Sequence, residues 1–151
     1  MQRIVEKLIA LNKSISTMES ATGGFIASSI TNVENASKVF PFGAVTYITE
    51  SKIKMGVPRE IIETYGVYSI ETAEAMSKAI TELTETTFGL GITGKLQKDE
   101  EDPKVYISIY DREYDQYEAF TIEMNPRGRQ EEKQLIEKKI EEKILQILEK
   151  H

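Results

Sequence analysis

The segment Glu19-Ser20-Ala21-Thr22-Gly23-Gly24 combines two hydroxyl side chains with two adjacent glycines. It follows a strand candidate at 14–18 and precedes an apolar helical segment that begins at Phe25. Open α/β sheets usually bind ligands at the carboxyl ends of strands, and amides at helix N-termini attract anions. The pattern fits a loop that binds an anion or an oxyanion. A plain helix cap with turn glycines fits it equally well.

The composition restricts the chemistry that this loop could support. The 151 residues include no Cys and no Trp, and the single His is the last residue, His151. Cysteine nucleophiles, disulfides, iron–sulfur clusters and Cys-containing zinc sites are thereby excluded. A Ser-His-Asp triad is disfavoured as well, because a terminal His is usually frayed. If the protein is a hydrolase, its base must be Lys, Tyr, Asp or Glu.

The net charge of −6 argues against general binding to nucleic acids or anionic membranes. No apolar run approaches the roughly 20 residues that span a bilayer. Glu6 interrupts the apolar N-terminal stretch as in an amphipathic helix, so we expect no secretion signal and a cytoplasmic protein. The acidic clusters at 99–102 and 131–132 are expected to be solvated. We therefore expect neither a metal nor a cofactor.

Two short motifs invite a different reading. Gly89 to Gly94 spell GxGxxG, but these glycines lie within a strand candidate and no helix follows them. A dinucleotide site needs that helix, so close packing of the sheet backbone is the better interpretation. Ser51-Lys52-Ile53-Lys54 spells SxxK without the companion elements of penicillin-binding enzymes, so it carries little weight.

The elements that would position the loop follow from periodicity. Segments with helical and two-residue periods alternate in the order α-β-α-β-α-α-α-β-β-β-α, with strands at about 14–18, 42–48, 88–93, 105–110 and 117–124. Helices separate the early strands, and a hairpin ends the sheet. This order predicts an α/β fold, a three-layer α/β/α sandwich with a mixed, mostly five-stranded sheet. The length fits a single domain over residues 1–151.

Several motifs in the same order resemble the CinA C-terminal-domain family, the nicotinamide-nucleotide amidases. The Glu19–Gly24 segment resembles the family's E-S-C-T-G-G signature, with Ala21 in place of Cys. Four further pieces follow it: Gly43 to Lys52 resembles G-V-V-x-Y-S-N-E-x-K, Tyr65 to Ser69 resembles H-G-A-V-S, Gly91 to Gly94 resembles the start of V-T-G-I-A-G-P, and Gly128-Arg129 resembles a G-x-R element.

The resemblance implies a metal-independent hydrolase that converts nicotinamide mononucleotide to nicotinate mononucleotide and ammonia. The family's Ser, Tyr and Lys fall on Ser20, Tyr47 and Lys52, which agrees with the absence of a usable Cys or His. The substrate-binding positions that it implies are Thr22, Gly23, Gly24, Thr93, Gly94 and Arg129. The expected partners are a small nucleotide and a second copy of the chain in a dimer, with no nucleic acid and no membrane.

One departure from the family leaves an alternative open. Gly94 is followed by Lys95-Leu96-Gln97-Lys98 where the family has I-A-G-P. The charged segment 95–102 is expected to be exposed and either mobile or shortened, because unpaired charges stay in water. The alternative is a divergent, catalytically weakened module that binds a nucleotide.

Overall fold

In the computed structural model, residues 1–96, 101–124 and 128–151 are described. They form six α-helices and five strands in the predicted order. The helices are α1 (Gln2–Leu11), α2 (Phe25–Thr31), α3 (Thr49–Lys54), α4 (Arg59–Tyr65), α5 (Ile70–Thr84) and α6 (Arg129–Leu148). The strands are β1 (Ile15–Glu19), β2 (Gly43–Val45), β3 (Phe88–Gly94), β4 (Lys104–Asp111) and β5 (Gln116–Glu123).

The five strands form one mixed sheet in the order β2-β1-β3-β4-β5. β1 is parallel to β2 and β3, whereas β4 is antiparallel to both β3 and β5. β1, β2, β3 and β5 therefore point the same way, and their C-terminal ends meet at one edge of the sheet. We call this edge, marked by Glu19, Val45, Gly94 and Glu123, the carboxyl edge.

Both faces of the sheet are covered, which confirms the predicted three-layer fold. On one face, α1, α2 and α6 bury a large apolar cluster that includes Leu8, Ile30, Leu90 and Ile140. On the other face, Met18 of β1 packs with Met76, Ala79 and Ile80 of α5. The isoleucine stripe of α6 is the face of that helix that the sheet buries.

The glycines of the GxGxxG motif allow α5 to lie close against β3. A Cβ atom on Gly89 would lie 1.8 Å from Thr81 Oγ1, and one on Gly91 would lie 2.2 Å from the carbonyl oxygen of Ala73. Neither position has room for a side chain. The structure thus confirms that these glycines serve backbone packing.

Four expectations about local structure are wrong, wholly or in part. The acidic cluster at 131–132 is not fully solvated, because Glu132 is 5% exposed. The terminal His151 is not frayed, because its Nε2 lies 2.7 Å from Asp111 Oδ2.

The other two expectations concern β2 and the charged segment after β3. β2 ends at Val45 instead of Ile48, because its partner β1 ends at Glu19 and the ladder has no further residue to pair. In the segment 95–102, Lys95 and Leu96 are half-buried, and Leu96 packs against the larger apolar cluster. Glu101 and Asp102 are exposed as expected, and 97–100 lie outside the described residues.

Among the described helices, none combines the length and apolar character needed to cross a lipid bilayer.

Candidate active site

Ser20 lies directly after β1, at the carboxyl edge, where it is 5% exposed. Its N–H donates to the carbonyl oxygen of Ile92 on β3 at 3.0 Å, and its own carbonyl accepts from the N–H of Gly23 at 3.0 Å. Gly23 and Gly24 have φ values of +61° and +92°, which residues with a Cβ adopt only under strain. These two glycines let the chain turn sharply and hold Ser20 between the sheet and α2.

Glu19 fixes the same loop from the inside. Its carboxylate is fully buried and accepts from the hydroxyl of Thr22 at 2.6 Å and from the N–H groups of Ile26 and Ala27 at 3.0 and 2.9 Å. These amides belong to the first turn of α2, so the chain's own carboxylate occupies the place where an anion would bind. Sequence analysis missed this role, although an acidic residue just before a glycine turn and a helix is a recognisable signal.

Lys52 is brought to Ser20 by α3. Its side chain is only 1% exposed, and Nζ donates to Ser20 Oγ at 3.1 Å and to the carbonyl oxygen of Thr46 at 2.6 Å. Burial lowers the pKa of Lys52 from 10.5 to about 8, because removal from water penalises the charged form. A lysine with such a pKa is neutral in about a tenth of the molecules at pH 7 and in about half at pH 8, and the neutral form can act as a general base.

Tyr47 lies in the short connection between β2 and α3, next to Thr46. Its side chain is 63% exposed, and its hydroxyl forms no hydrogen bond with another described residue. The structure therefore brings Ser20 and Lys52 into contact and leaves Tyr47 at the rim, with its hydroxyl free to meet a ligand.

The predicted substrate-binding residues surround this loop to different degrees. The Gly23 amide is used within the Ser20 turn, and the Thr22 hydroxyl is bound to Glu19. Thr93 is fully buried, with its hydroxyl donating to the carbonyl of Val67 at 2.8 Å. The remaining three lie along the carboxyl edge: Gly24 caps α2, Gly94 ends β3 against Lys104, and Arg129 is exposed at the first position of α6.

The arrangement supplies the two central groups of nucleophilic catalysis. A neutral Lys52 has two N–H bonds and one lone pair. The Thr46 carbonyl accepts one N–H, and rotation about that hydrogen bond can turn the lone pair toward Ser20 Oγ. Ser20 can then give its proton to Lys52 as the hydroxyl attacks an electrophile. In the described part of the chain, no group of three or more carboxylate or imidazole side chains is placed to hold a metal ion.

Comparison with known proteins agrees with this fold. The family model of the CinA C-terminal domain matches residues 1–150. The chain belongs to the CinA C-terminal domain family. Among curated relatives, a competence-damage inducible protein of Clostridium perfringens (strain SM101) is 44% identical over 96 residues, which are 62% of this chain and 23% of that protein. A CinA-like protein of Kosmotoga olearia is 44% identical over 92 residues, which are 60% of this chain and 22% of that protein.

Solved structures of CinA proteins share the whole fold. The competence/damage inducible protein CihA of Agrobacterium tumefaciens superposes with a TM-score of 0.89 at 28% identity, covering 97% of this chain and 92% of that one. A CinA superfamily protein of Klebsiella pneumoniae 700603 superposes with a TM-score of 0.92 at 20% identity, covering 99% and 96% of the two chains. The chain spans less than a quarter of the length of the curated relatives that it matches.

Proposed function

We propose that this CinA domain hydrolyses the carboxamide of nicotinamide mononucleotide to give nicotinate mononucleotide and ammonia. The observation that carries the proposal is the 3.1 Å hydrogen bond between Lys52 Nζ and Ser20 Oγ, formed by two buried side chains whose positions match the family motifs. With no Cys in the chain, Ser20 and its lysine supply a nucleophile and a base in direct contact.

The reaction proceeds through an acyl-enzyme. Ser20 Oγ attacks the carboxamide carbon while neutral Lys52 accepts the Ser20 proton, which yields a tetrahedral oxyanion. The protonated Lys52 returns that proton to the amide nitrogen, the C–N bond breaks, and ammonia leaves. Water then attacks the nicotinoyl ester and gives a proton to Lys52, and collapse releases the carboxylate and restores the Ser20 hydroxyl.

Tyr47 orients this proton transfer or protonates the departing nitrogen. Its exposed position next to Thr46 leaves the side chain accessible to a ligand. At the other end of the substrate, Arg129 is a suitable phosphate partner, because its planar guanidinium can form two parallel hydrogen bonds. Gly23 and Gly24 then line the surface between these two ends, and the buried Thr22, Thr93 and Gly94 support that surface from behind.

The direct experiment is to incubate the protein with nicotinamide mononucleotide and to measure released ammonia. The test variant is Ser20→Ala, which removes the nucleophile. The matched control is Ser51→Ala, which removes a serine hydroxyl on α3 that donates to the Ile48 carbonyl. We expect release from the wild type and from Ser51→Ala and none from Ser20→Ala. Equal release from wild type and Ser20→Ala would contradict the proposal.

The second candidate is a nucleotide-binding module without turnover. It is favoured by the charged residues that follow Gly94 where the family has I-A-G-P. Binding of nicotinate mononucleotide by a wild type that releases no ammonia would decide for this candidate. A graft of Ile-Ala-Gly-Pro in place of 95–102 would then be expected to restore turnover, because a compact wall excludes water and orients the carboxamide. We further propose that the protein acts in the cytoplasm and as a dimer.

A further inference from the structure

A lysine that the family motifs do not include lies over the turn that follows Ser20. Because β5 is parallel to β1 and β3, its C-terminal end lies at the carboxyl edge, and α6 begins there at Arg129. Lys133, in the second turn of α6, carries its ammonium to 3.6 Å from the place that a Cβ atom on Gly23 would occupy. The N–H of Gly23 bonds to the Ser20 carbonyl, so this charge lies one tight turn away from the candidate nucleophile.

No described carboxylate balances the charge of Lys133. Within 1–96, 101–124 and 128–151, its ammonium forms no ion pair, although other lysines of the same helix do. Lys139 pairs with Glu142 at 3.5 Å, and Lys143 approaches Glu118 at 4.0 Å. Lys133 is half-buried, so water solvates its ammonium only in part, and the ammonium lies beside the Gly23 turn. A half-buried cation without a carboxylate is suited to an incoming anion.

The amides in the first turn of α2 are already used. Glu19 accepts the amides of Ile26 and Ala27 and the Thr22 hydroxyl, so an anionic ligand cannot take those donors. An anion that enters beside Gly23 meets Lys133 instead. A mononucleotide carries its phosphate across the ribose from the carboxamide, so a carboxamide at Ser20 and a phosphate at Lys133 are compatible with one bound molecule.

We propose that Lys133 is a specificity-determining residue that selects substrates bearing a phosphate monoester. This inference rests on the proposed function for the identity of the reacting end, while its own content is recognition of the anionic end. An ammonium–phosphate contact acts on both the ground state and the transition state, so its loss raises KM more than it lowers kcat. The residue therefore contributes to binding and takes no part in proton transfer.

The test compares nicotinamide mononucleotide with nicotinamide riboside, which lacks the phosphate. The variants are Lys133→Met, Lys133→Arg and the control Lys138→Met, which removes an exposed lysine five residues further along the same helix. We expect Lys133→Met to lower the ratio of kcat/KM for the mononucleotide over the riboside by roughly 10- to 100-fold, as for loss of a charged hydrogen bond. Lys133→Arg should retain most of the ratio, and Lys138→Met should retain all of it.

A binding measurement separates this inference from the proposed reaction. Titration calorimetry with nicotinate mononucleotide and nicotinate riboside needs no turnover. If the wild type binds the mononucleotide more tightly and Lys133→Met loses that preference, the inference stands even when no ammonia is released. An unchanged preference in Lys133→Met, or equal binding of the two ligands by the wild type, would overturn it. Thermal melts of each variant identify any loss of fold.

Discussion

Lys52 Nζ lies 3.1 Å from Ser20 Oγ although the two residues are 32 positions apart. Ser20 is held by the end of β1, and Lys52 is held by α3, which follows the neighbouring strand β2. The contact therefore depends on the parallel pairing of β1 and β2, in which Glu19 is opposite Val45. A buried lysine beside a serine makes both activity and stability depend on pH.

The first prediction concerns the pH dependence of the reaction. Burial lowers the pKa of Lys52 to about 8, and only neutral Lys52 can accept the Ser20 proton. Amidase kcat/KM should therefore rise with pH and level off above about pH 9. The measurement is a pH–rate profile from pH 6 to 9.5 at constant ionic strength. A profile that is flat across this range would exclude Lys52 as the base.

The second prediction concerns stability. The pKa of Lys52 is about 8 in the folded protein and 10.5 for a lysine in water, so the unfolded chain binds more protons between these values. The free energy of unfolding should then rise with pH across this window, by about 2 kcal/mol between pH 7 and pH 9.5. Well below pH 8 Lys52 is protonated in both the folded and the unfolded chain, so it adds no further pH dependence to the free energy of unfolding.

Lys52→Met removes this titration while filling a similar volume. The difference in unfolding free energy between wild type and Lys52→Met, measured by urea denaturation, should therefore change by about 2 kcal/mol over that pH range. Lys54→Met, on the same helix, serves as the control and should follow the wild type. A constant difference between wild type and Lys52→Met would mean that Lys52 titrates alike in both states.

The third prediction concerns Tyr47. Tyr47 is 63% exposed, so Tyr47→Phe should change the unfolding free energy by less than about 0.5 kcal/mol. If the hydroxyl assists proton transfer, kcat should nevertheless fall roughly 100-fold. Ammonia release and a thermal melt of the same preparation provide both values. Tyr65→Phe, another exposed tyrosine, is the control, and equal activity in all three proteins would remove Tyr47 from the mechanism.

Sequence alone predicts the parts of this protein that local patterns determine. The alternation of helical and two-residue periods predicts the element order, and the position of Ser20 between strand and helix predicts a loop at the carboxyl edge. The burial of Lys52 is different, because its spacing within Thr49–Lys54 is that of an ordinary surface lysine. Only the pairing of β2 with β1 carries that side chain under the loop.

The same distinction explains the errors. The alternating pattern from Phe42 to Ile48 predicts a longer strand than the one observed. The strand propensity of these residues carries no information about where the partner strand β1 ends. Leu96 lies in a charged segment, yet it packs against the apolar cluster, because it follows directly after the buried strand β3. The position of Lys133 beside Gly23 depends on how α6 crosses the sheet, and no spacing in the sequence encodes a contact across 110 residues.

The last prediction concerns Glu19, whose carboxylate holds the loop. Glu19→Gln preserves the size of the side chain but replaces one acceptor oxygen with an NH₂ group. In the wild type, one carboxylate oxygen accepts from the N–H of Ala27, and the other accepts from the N–H of Ile26 and the Thr22 hydroxyl. Whichever oxygen the NH₂ group replaces, it faces at least one backbone N–H, and two donors then meet. A buried donor without an acceptor costs about 1–3 kcal/mol, so we expect the unfolding free energy to fall by that amount. Because the same loop positions Ser20, amidase activity should fall even well below the melting temperature.

The control is Glu34→Gln, at an exposed residue that follows α2, and it should alter neither the unfolding free energy nor the activity. A Glu19→Gln protein with wild-type stability would show that the loop holds its shape without this carboxylate.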